Sequence, residues 1–210
     1  GNVIFEGRYL NGKKWNGKGY NKEGEISFDI IRGNGKGKLY YNNGELEFEG
    51  EYLNGEKWNG KGKEYKSWLL IFEGEYLNGK INGKGKEYFL TFERKLRFEG
   101  EYLNGVRNGE GKEYNYLTDK IQFEGEYLNG EKWNGKERRY YDNGKLKFEI
   151  EYLNGNEKGK EYYDNGKLKY EGEYFIGKKN GKGKEYSSNG KLKFEGEYLN
   201  GKRNEICKIF

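Results

Sequence analysis

Three stretches of the chain, Gly12–Lys18, Gly55–Lys61 and Gly130–Lys136, carry the G-x-x-x-x-G-K spacing of a phosphate-cradling loop. That chemistry needs a Ser or Thr after the lysine to hold magnesium and a helix N-terminus to receive the phosphate. The next residue is instead Gly19, Gly62 or Glu137, and no helical pattern follows, so these glycines are assigned to hairpin loops. Carboxylates are abundant, but acid–base chemistry needs one carboxyl raised in a cleft and facing another. Here most glutamates recur opposite lysines, which marks a solvated face. Glu161 and its equivalents Glu64, Glu87, Glu113 and Glu185 fall on the other, aromatic face and are expected at its margin. The chain has no histidine and one cysteine, Cys207. Ser–His and Cys–His nucleophiles and zinc sites therefore lack their parts, and the Asp-Asn-Gly turns lack the spaced oxygens of a calcium loop. No catalytic residue, metal ligand or cofactor site is assigned, and the chain reads as a non-enzyme.

The remaining candidates are contact residues. Forty Lys and Arg against 35 Asp and Glu give a net charge of only +5. The two signs are interleaved within a screening length, unlike the segregated excess of a nucleic-acid binder. Local basic spots persist at Arg94, Lys95 and Arg97, at Arg138 and Arg139, and at Lys178 and Lys179. Trp15, Trp58 and Trp133 sit in K-W-N-G segments that carry an extra residue, read as loops whose exposed rings suit an interface. These ten residues are the expected contacts for a protein partner or an anionic lipid. Nucleic acid and a small-molecule substrate are not expected.

What positions them is a tandem repeat. The unit reads approximately F-E-G-E-Y-L-N-G-K-x-N-G-K-G-K-E-Y-Y-x-N-G-K-L-K. It begins at Phe5, Phe28 (degenerate), Phe48, Phe72, Phe98, Phe123, Phe148, Tyr170 and Phe194 (cut short), which gives one array over residues 1–210. The scarcity of apolar residues leans toward disorder, but aromatics make up 18% and recur at fixed spacing, which favours a folded chain. The absence of alanine and the 36 glycines argue against helices. Period-two alternation broken by Asn-Gly is the hairpin signature.

A type I′ turn at Asn165-Gly166 places Tyr163 opposite Leu168, Glu161 opposite Tyr170 and Gly159 opposite Gly172. The same reasoning at Asn189-Gly190 and Asn43-Gly44 pairs Gly183 with Gly196 and Gly37 with Gly50. One face is then aromatic with glycine gaps, and the other is a ladder of Lys–Glu pairs. The expected ribbon curls with its rings inside and its charges outside. Irregular points are Ser67-Trp68-Leu69 and Glu23-Gly24, read as connections one residue shorter, and Ile150, at a position that is glycine at Gly7, Gly50, Gly74, Gly100 and Gly125. The tail Glu205–Phe210 is expected to close the array as a strand.

The pattern F/Y-E-G-E-Y-x-x-G-x-x-x-G-x-G, as in Tyr170–Gly177 with Gly181 and Gly183, resembles the MORN repeat (membrane occupation and recognition nexus), and the resemblance covers nearly the whole chain. The trailing Tyr-Tyr-Asp-Asn-Gly-Lys-Leu-Lys block is similar to a shorter variant found in bacterial antitoxin-like proteins. The resemblance implies an all-β fold: an elongated, twisted and curled antiparallel meander built from tandem β-hairpins, with no catalytic residues to transfer. It also implies a scaffold or protein-interaction module, self-associating or holding a protein partner. The alternatives are a phosphoinositide or anionic-membrane tether and an antitoxin-like inhibitor of a protein partner. The chain departs from the commonest pattern in its leading Phe and its many acids. With one cysteine and no apolar run of the roughly 18 residues that span a bilayer, the expected location is intracellular, either cytoplasmic or peripheral at a membrane or the cytoskeleton.

Overall fold

The computed structural model describes residues 3–41 and 43–209, excluding the side chains of 205–209. Every regular element among them is a strand. In chain order these are β1 Phe5–Leu10, β2 Lys13–Tyr20, β3 Ile26–Ile31, β4 Asn34–Tyr40, β5 Leu46–Leu53, β6 Glu56–Lys66, β7 Leu69–Leu77, β8 Lys80–Tyr88 and β9 Leu96–Leu103. They continue with β10 Val106–Tyr114, β11 Ile121–Leu128, β12 Glu131–Tyr140, β13 Leu146–Leu153, β14 Asn156–Tyr162, β15 Leu168–Phe175, β16 Lys178–Tyr186, β17 Leu192–Leu199 and β18 Lys202–Ile209. The chain divides into two compact units, Gly1–Asn108 and Gly109–Phe210. Within each unit every strand pairs antiparallel with the next along the chain, from β1–β2 to β8–β9 and from β10–β11 to β17–β18. The tail is a strand as expected as far as Ile209, in β18; Phe210 lies outside the described residues.

Two kinds of turn alternate, and the sequence reading assigned the type I′ turn to the wrong one. Both residues have positive φ in the Leu-Asn-Gly turns, for example Asn54 (53°) with Gly55 (78°) and Asn154 (51°) with Gly155 (75°). That is type I′, for which Asn-Gly is best suited. At the other end only the glycine is left-handed. Gly166 N–H donates to Tyr163 C=O (2.8 Å) and Tyr163 N–H to Lys167 C=O (2.8 Å), while the Asn165 side chain accepts from Lys167 N–H (2.9 Å). This is a three-residue loop that ends in a glycine bulge. It shifts the register by one, so Tyr162 rather than Tyr163 faces Leu168. A second bulge between Glu161 and Tyr162 shifts it back. The predicted pairs Glu161–Tyr170, Gly159–Gly172, Gly183–Gly196 and Gly37–Gly50 are therefore all present, although the turn that was meant to produce them is different. Glu23-Gly24 is also not shortened: Asn21 N–H reaches Glu25 C=O (3.0 Å) and Gly24 N–H reaches Asn21 C=O (3.1 Å), the same three-residue loop. Ser67-Trp68 is shortened, with both residues at positive φ (50° and 68°).

The glycine pairs have a steric reason. A Cβ on Gly50 would lie 2.7 Å from Gly60 Cα and 2.9 Å from the Phe48 ring, and one on Gly74 would lie 2.6 Å from the Phe72 ring. In the repeats that keep this glycine, the first ring lies over the bare backbone two residues later. This explains how Phe48, Phe98, Phe123, Tyr170 and Phe194 reach 0% exposure in a sheet without a second layer.

Two substitutions test this geometry by chemical denaturation. Gly50→Ala is expected to destabilise the fold by about 1–3 kcal/mol through overpacking. Ile176, a β-branched residue held at φ 49° in the turn that is Asn-Gly in most repeats, is expected on replacement by Asn to gain about 1 kcal/mol from relieved left-handed strain.

Candidate interaction surfaces

The aromatic face is built from a unit of four groups. The buried first ring meets the Tyr four residues on edge-to-face, as in Phe48–Tyr52 (5.1 Å), Phe98–Tyr102 (5.7 Å) and Phe194–Tyr198 (5.4 Å). It also meets the Tyr of the next hairpin, as in Phe72–Tyr102 (5.6 Å) and Tyr170–Tyr198 (5.2 Å). A cation covers it: Arg107 over Phe98 (3.9 Å), Lys132 over Phe123 (4.6 Å), Lys179 over Tyr170 (4.0 Å) and Arg203 over Phe194 (4.3 Å). A carboxylate from the preceding strand holds that cation in place, with Glu87 paired to Arg107 (2.8 Å), Glu113 to Lys132 (2.9 Å) and Glu161 to Lys179 (3.3 Å). The same carboxylate accepts from the next tyrosine hydroxyl, as in Tyr76–Glu64 (2.6 Å), Tyr102–Glu87 (2.6 Å) and Tyr174–Glu161 (2.8 Å). The expected row Glu64, Glu87, Glu113, Glu161 and Glu185 is thus on the aromatic face, as a structural part of it rather than at its margin. Burial alone would raise the Glu87 carboxyl, but Arg107, the Tyr102 hydroxyl and Arg97 outweigh it and hold it at about 2.

The covering cation was missed in the sequence, yet it has a plain signal. It stands five residues after the second ring of the unit, at Lys14, Lys57, Arg107, Lys132, Lys179 and Arg203, with Ile81 and Glu157 as the two exceptions. Leu39 is another departure. It faces Phe48 where Glu64 faces Phe72, so the buried Tyr52 hydroxyl has no carboxylate and no hydrogen-bond partner.

The opposite face carries the predicted Lys–Glu ladder. In the second unit it forms a groove of about 800 Å3 whose charged lining is five lysines and six glutamates. Across it run the pairs Lys136–Glu151, Lys158–Glu173 and Lys182–Glu197, and beside them Lys160–Glu171 and Lys184–Glu195. This overturns the expected sense of the curl, rings inside and charges outside, because in this unit the charged face lines the groove. The rings need no hollow, since most already lie on glycine backbone.

The expected contact residues are dispersed, and most are already engaged. Arg94 pairs with Glu45 (2.7 Å), Lys95 with Glu93 (3.7 Å) and Arg97 with Glu87. Arg138 pairs with Glu149 (2.9 Å), Arg139 with Glu137 (2.6 Å) and Lys179 with Glu161 (3.3 Å), whereas Lys178 is exposed at a hairpin tip opposite Phe175. Trp15, Trp58 and Trp133 are half-buried bulge residues inside β2, β6 and β12, not exposed loop rings. The tryptophan carbonyls accept from the glycine of the next tip, Gly33, Gly79 or Gly155 (2.8–2.9 Å), as Ile81 and Lys179 do from Gly105 and Gly201 in repeats without the extra residue (2.8 Å). The Trp133 ring also packs within van der Waals reach of Gly155. The exposed rings are elsewhere: Trp68 is 82% exposed and Phe92 90%, both at turns of the first unit that depart from Asn-Gly.

Such an arrangement defines a class, a tandem hairpin repeat with a ring-and-cation face backed by an ionic ladder. The MORN repeat model matches residues 72–89, 98–115, 170–191 and 194–208, and the MORN repeat variant model matches 34–54, 133–154 and 158–175, together more than half of the chain. The chain belongs to the MORN-repeat family, whose repeats are generally protein- or membrane-interaction modules. A search of curated proteins gives no match. Among the described residues no helix is long and apolar enough to cross a membrane.

Two measurements probe the aromatic face. Tyr52→Phe, which deletes an unpartnered buried hydroxyl, is expected to be neutral or slightly stabilising, whereas Tyr76→Phe should cost about 1 kcal/mol by removing the Glu64 partner. The folded pKa of Glu87 lies below its unfolded value of 4.5, so its contribution is complete above pH 4.5 and is lost as pH falls toward 2. Melting temperature should drop through that window, and less steeply in Glu87→Gln.

Proposed function

We propose that this chain is a non-catalytic protein-binding scaffold and that the groove of the second unit receives an extended segment of a protein partner. The observation that carries this reading is the near balance of charge in the groove, five lysines against six glutamates in an alternating array. A polyanion such as a phosphoinositide surface or nucleic acid is favoured by a segregated basic field. An alternating array instead rewards a mixed-charge, hydrogen-bonding chain, and it sets register and specificity more than raw affinity. The paired state of the basic spots supports the same conclusion. Residence in the cytoplasm, or at a membrane or the cytoskeleton as a peripheral component, belongs to this proposal.

Peptides selected from a displayed random library and titrated by calorimetry provide the test. Binders should lose at least about tenfold in affinity against Lys158→Glu/Lys182→Glu, a change that leaves the aromatic face untouched. Peptides that bind this variant as well as the wild type would reject the groove as the site.

A second reading, peripheral membrane contact, is favoured by the exposed Trp68 and Phe92 with the half-exposed Leu90 (51%). Trp is enriched where protein meets the lipid headgroup region. Co-sedimentation with phosphatidylserine- and phosphoinositide-containing vesicles at physiological salt separates the two. The scaffold reading expects no pelleting. Pelleting that disappears in Trp68→Ser/Phe92→Ser would put the membrane first.

A further inference from the structure

The repeat that begins at Phe148 has its ring cover reversed in charge. The position that is glutamate at Glu87, Glu113 and Glu161 is Arg139 here, and the position that is a cation at Arg107, Lys132 and Lys179 is Glu157. The two do not close over the ring. Arg139 turns to Glu137, which occupies a position that is glycine at Gly62 and is buried among Lys132 (2.8 Å), Arg139 (2.6 Å) and the Tyr152 hydroxyl (3.1 Å). Arg139 lies 5.8 Å from the Phe148 centroid, as far as Lys57 from Phe48 (5.8 Å) and farther than the 3.9–4.6 Å of the cations over Phe98, Phe123, Tyr170 and Phe194. Glu157 donates no cover. One of its oxygens accepts from Gly177 N–H (3.1 Å), and among the described residues no cation lies within ion-pair distance of it.

Ile150, 2% exposed, fills the space that glycine leaves open at Gly50 and Gly74. An isoleucine there does not by itself expose the ring, since Phe28, two residues before Ile30, is 1% exposed. Phe148 and Tyr152 are half-buried, while their counterparts from Phe48 to Tyr127 and from Tyr170 to Tyr198 are buried. The result is a partly open ring, and at the repeat position of its covering cation, opposite Tyr152, stands a carboxylate with a free oxygen. Glu161, which faces Phe148 across the strands, is already paired with Lys179 (3.3 Å) and Lys169 (3.8 Å), whereas Glu157 has no such partner among the described residues.

We propose that this site takes a lysine or arginine side chain of a protein partner. The chain displays the complex itself in its other repeats: Lys179 lies 4.0 Å over Tyr170 while paired to Glu161 at 3.3 Å. A cation brought in from outside meets the same two groups at Phe148 and Glu157, a ring face and a carboxylate, partly shielded from water. The site is on the face opposite the groove and stands independently of the groove reading.

The test titrates n-butylammonium and methylguanidinium, as mimics of the two side chains, into the labelled full chain at constant ionic strength, following the Phe148 ring and Ile150 methyl resonances. Saturable shifts are expected at these residues and not at Phe98, whose face Arg107 already fills. Glu157→Gln should weaken binding roughly fivefold. Glu157→Lys should abolish it by supplying the missing cover from within. Should loss of the Gly177 hydrogen bond unfold either variant, Phe148→Leu removes the ring while leaving that bond in place, and it too should lose binding. Absence of saturable shifts, or shifts that survive all folded variants, overturns the proposal. Tighter binding of tetramethylammonium than of either mimic would also overturn it, by assigning the site to a free quaternary amine.

Discussion

The structure depends on a ring lying on bare backbone. A sheet with nothing packed against it cannot bury side chains between layers, and the usual outcome is an exposed apolar face. Here the glycines at the crossing of paired strands remove the Cβ atoms that would hold an aromatic ring away from the main chain. Where that glycine is kept, as at Phe48 and Phe72, the ring finds its contact surface in the backbone below it and the edges of two tyrosines beside it. The glycines that weaken an ordinary strand are the condition for this one. Burial is then local to each repeat, and stability accrues unit by unit and interface by interface.

Such a ring has one open side, and the chain closes it with charge. A lysine or arginine stem adds apolar cover while its head stays near water, and the attraction of the cation to the ring face grows as the site is desolvated. The carboxylate from the preceding strand then ties one hairpin to the next, fixing the cation of the following hairpin and accepting the tyrosine hydroxyl of that same hairpin. The composition that at first suggested disorder, with so many charged residues and so few aliphatic ones, is what this design requires. Lys and Glu supply part of the core.

Much of this was legible in the sequence. Repeat length, glycine pairing and the division into an aromatic and an ionic face follow from alternation and Asn-Gly spacing, and all are present. The turn assignment failed because a two-residue turn and a three-residue loop followed by a compensating bulge give the same register beyond Glu161 and Tyr170, so pairing logic alone cannot tell them apart. The sense of the curl failed for another reason. Alternation says which residues share a face but not which way the face bends, and the assumption that rings need a hollow ignored the glycine backbone beneath them. The tryptophans were misplaced because an extra residue was read as a loop when it forms a bulge within a strand. The covering cations went unnoticed because five-residue spacing crosses a turn and belongs to neither strand's alternation.

A repeat that satisfies itself in every unit has little left to offer a partner, so recognition has to come from departures from the pattern. The departures here fall into two groups. Around Ser67-Trp68 and Phe92, the turn residues are replaced by large apolar ones at a cost in backbone strain, with the core rows left intact. Around Phe148, the core row itself is rewritten: glycines become Glu137 and Ile150, and the covering pair exchanges sign. Drift alone would leave a buried charge or a clash at one of these positions. Instead Glu137 meets Lys132, Arg139 and the Tyr152 hydroxyl, Ile150 packs in the space the glycine vacated, and the imbalance left over is concentrated in one carboxylate at the edge of an open ring. A set of changes that compensate one another everywhere except at a single exposed point has the form of a surface shaped for something outside the chain.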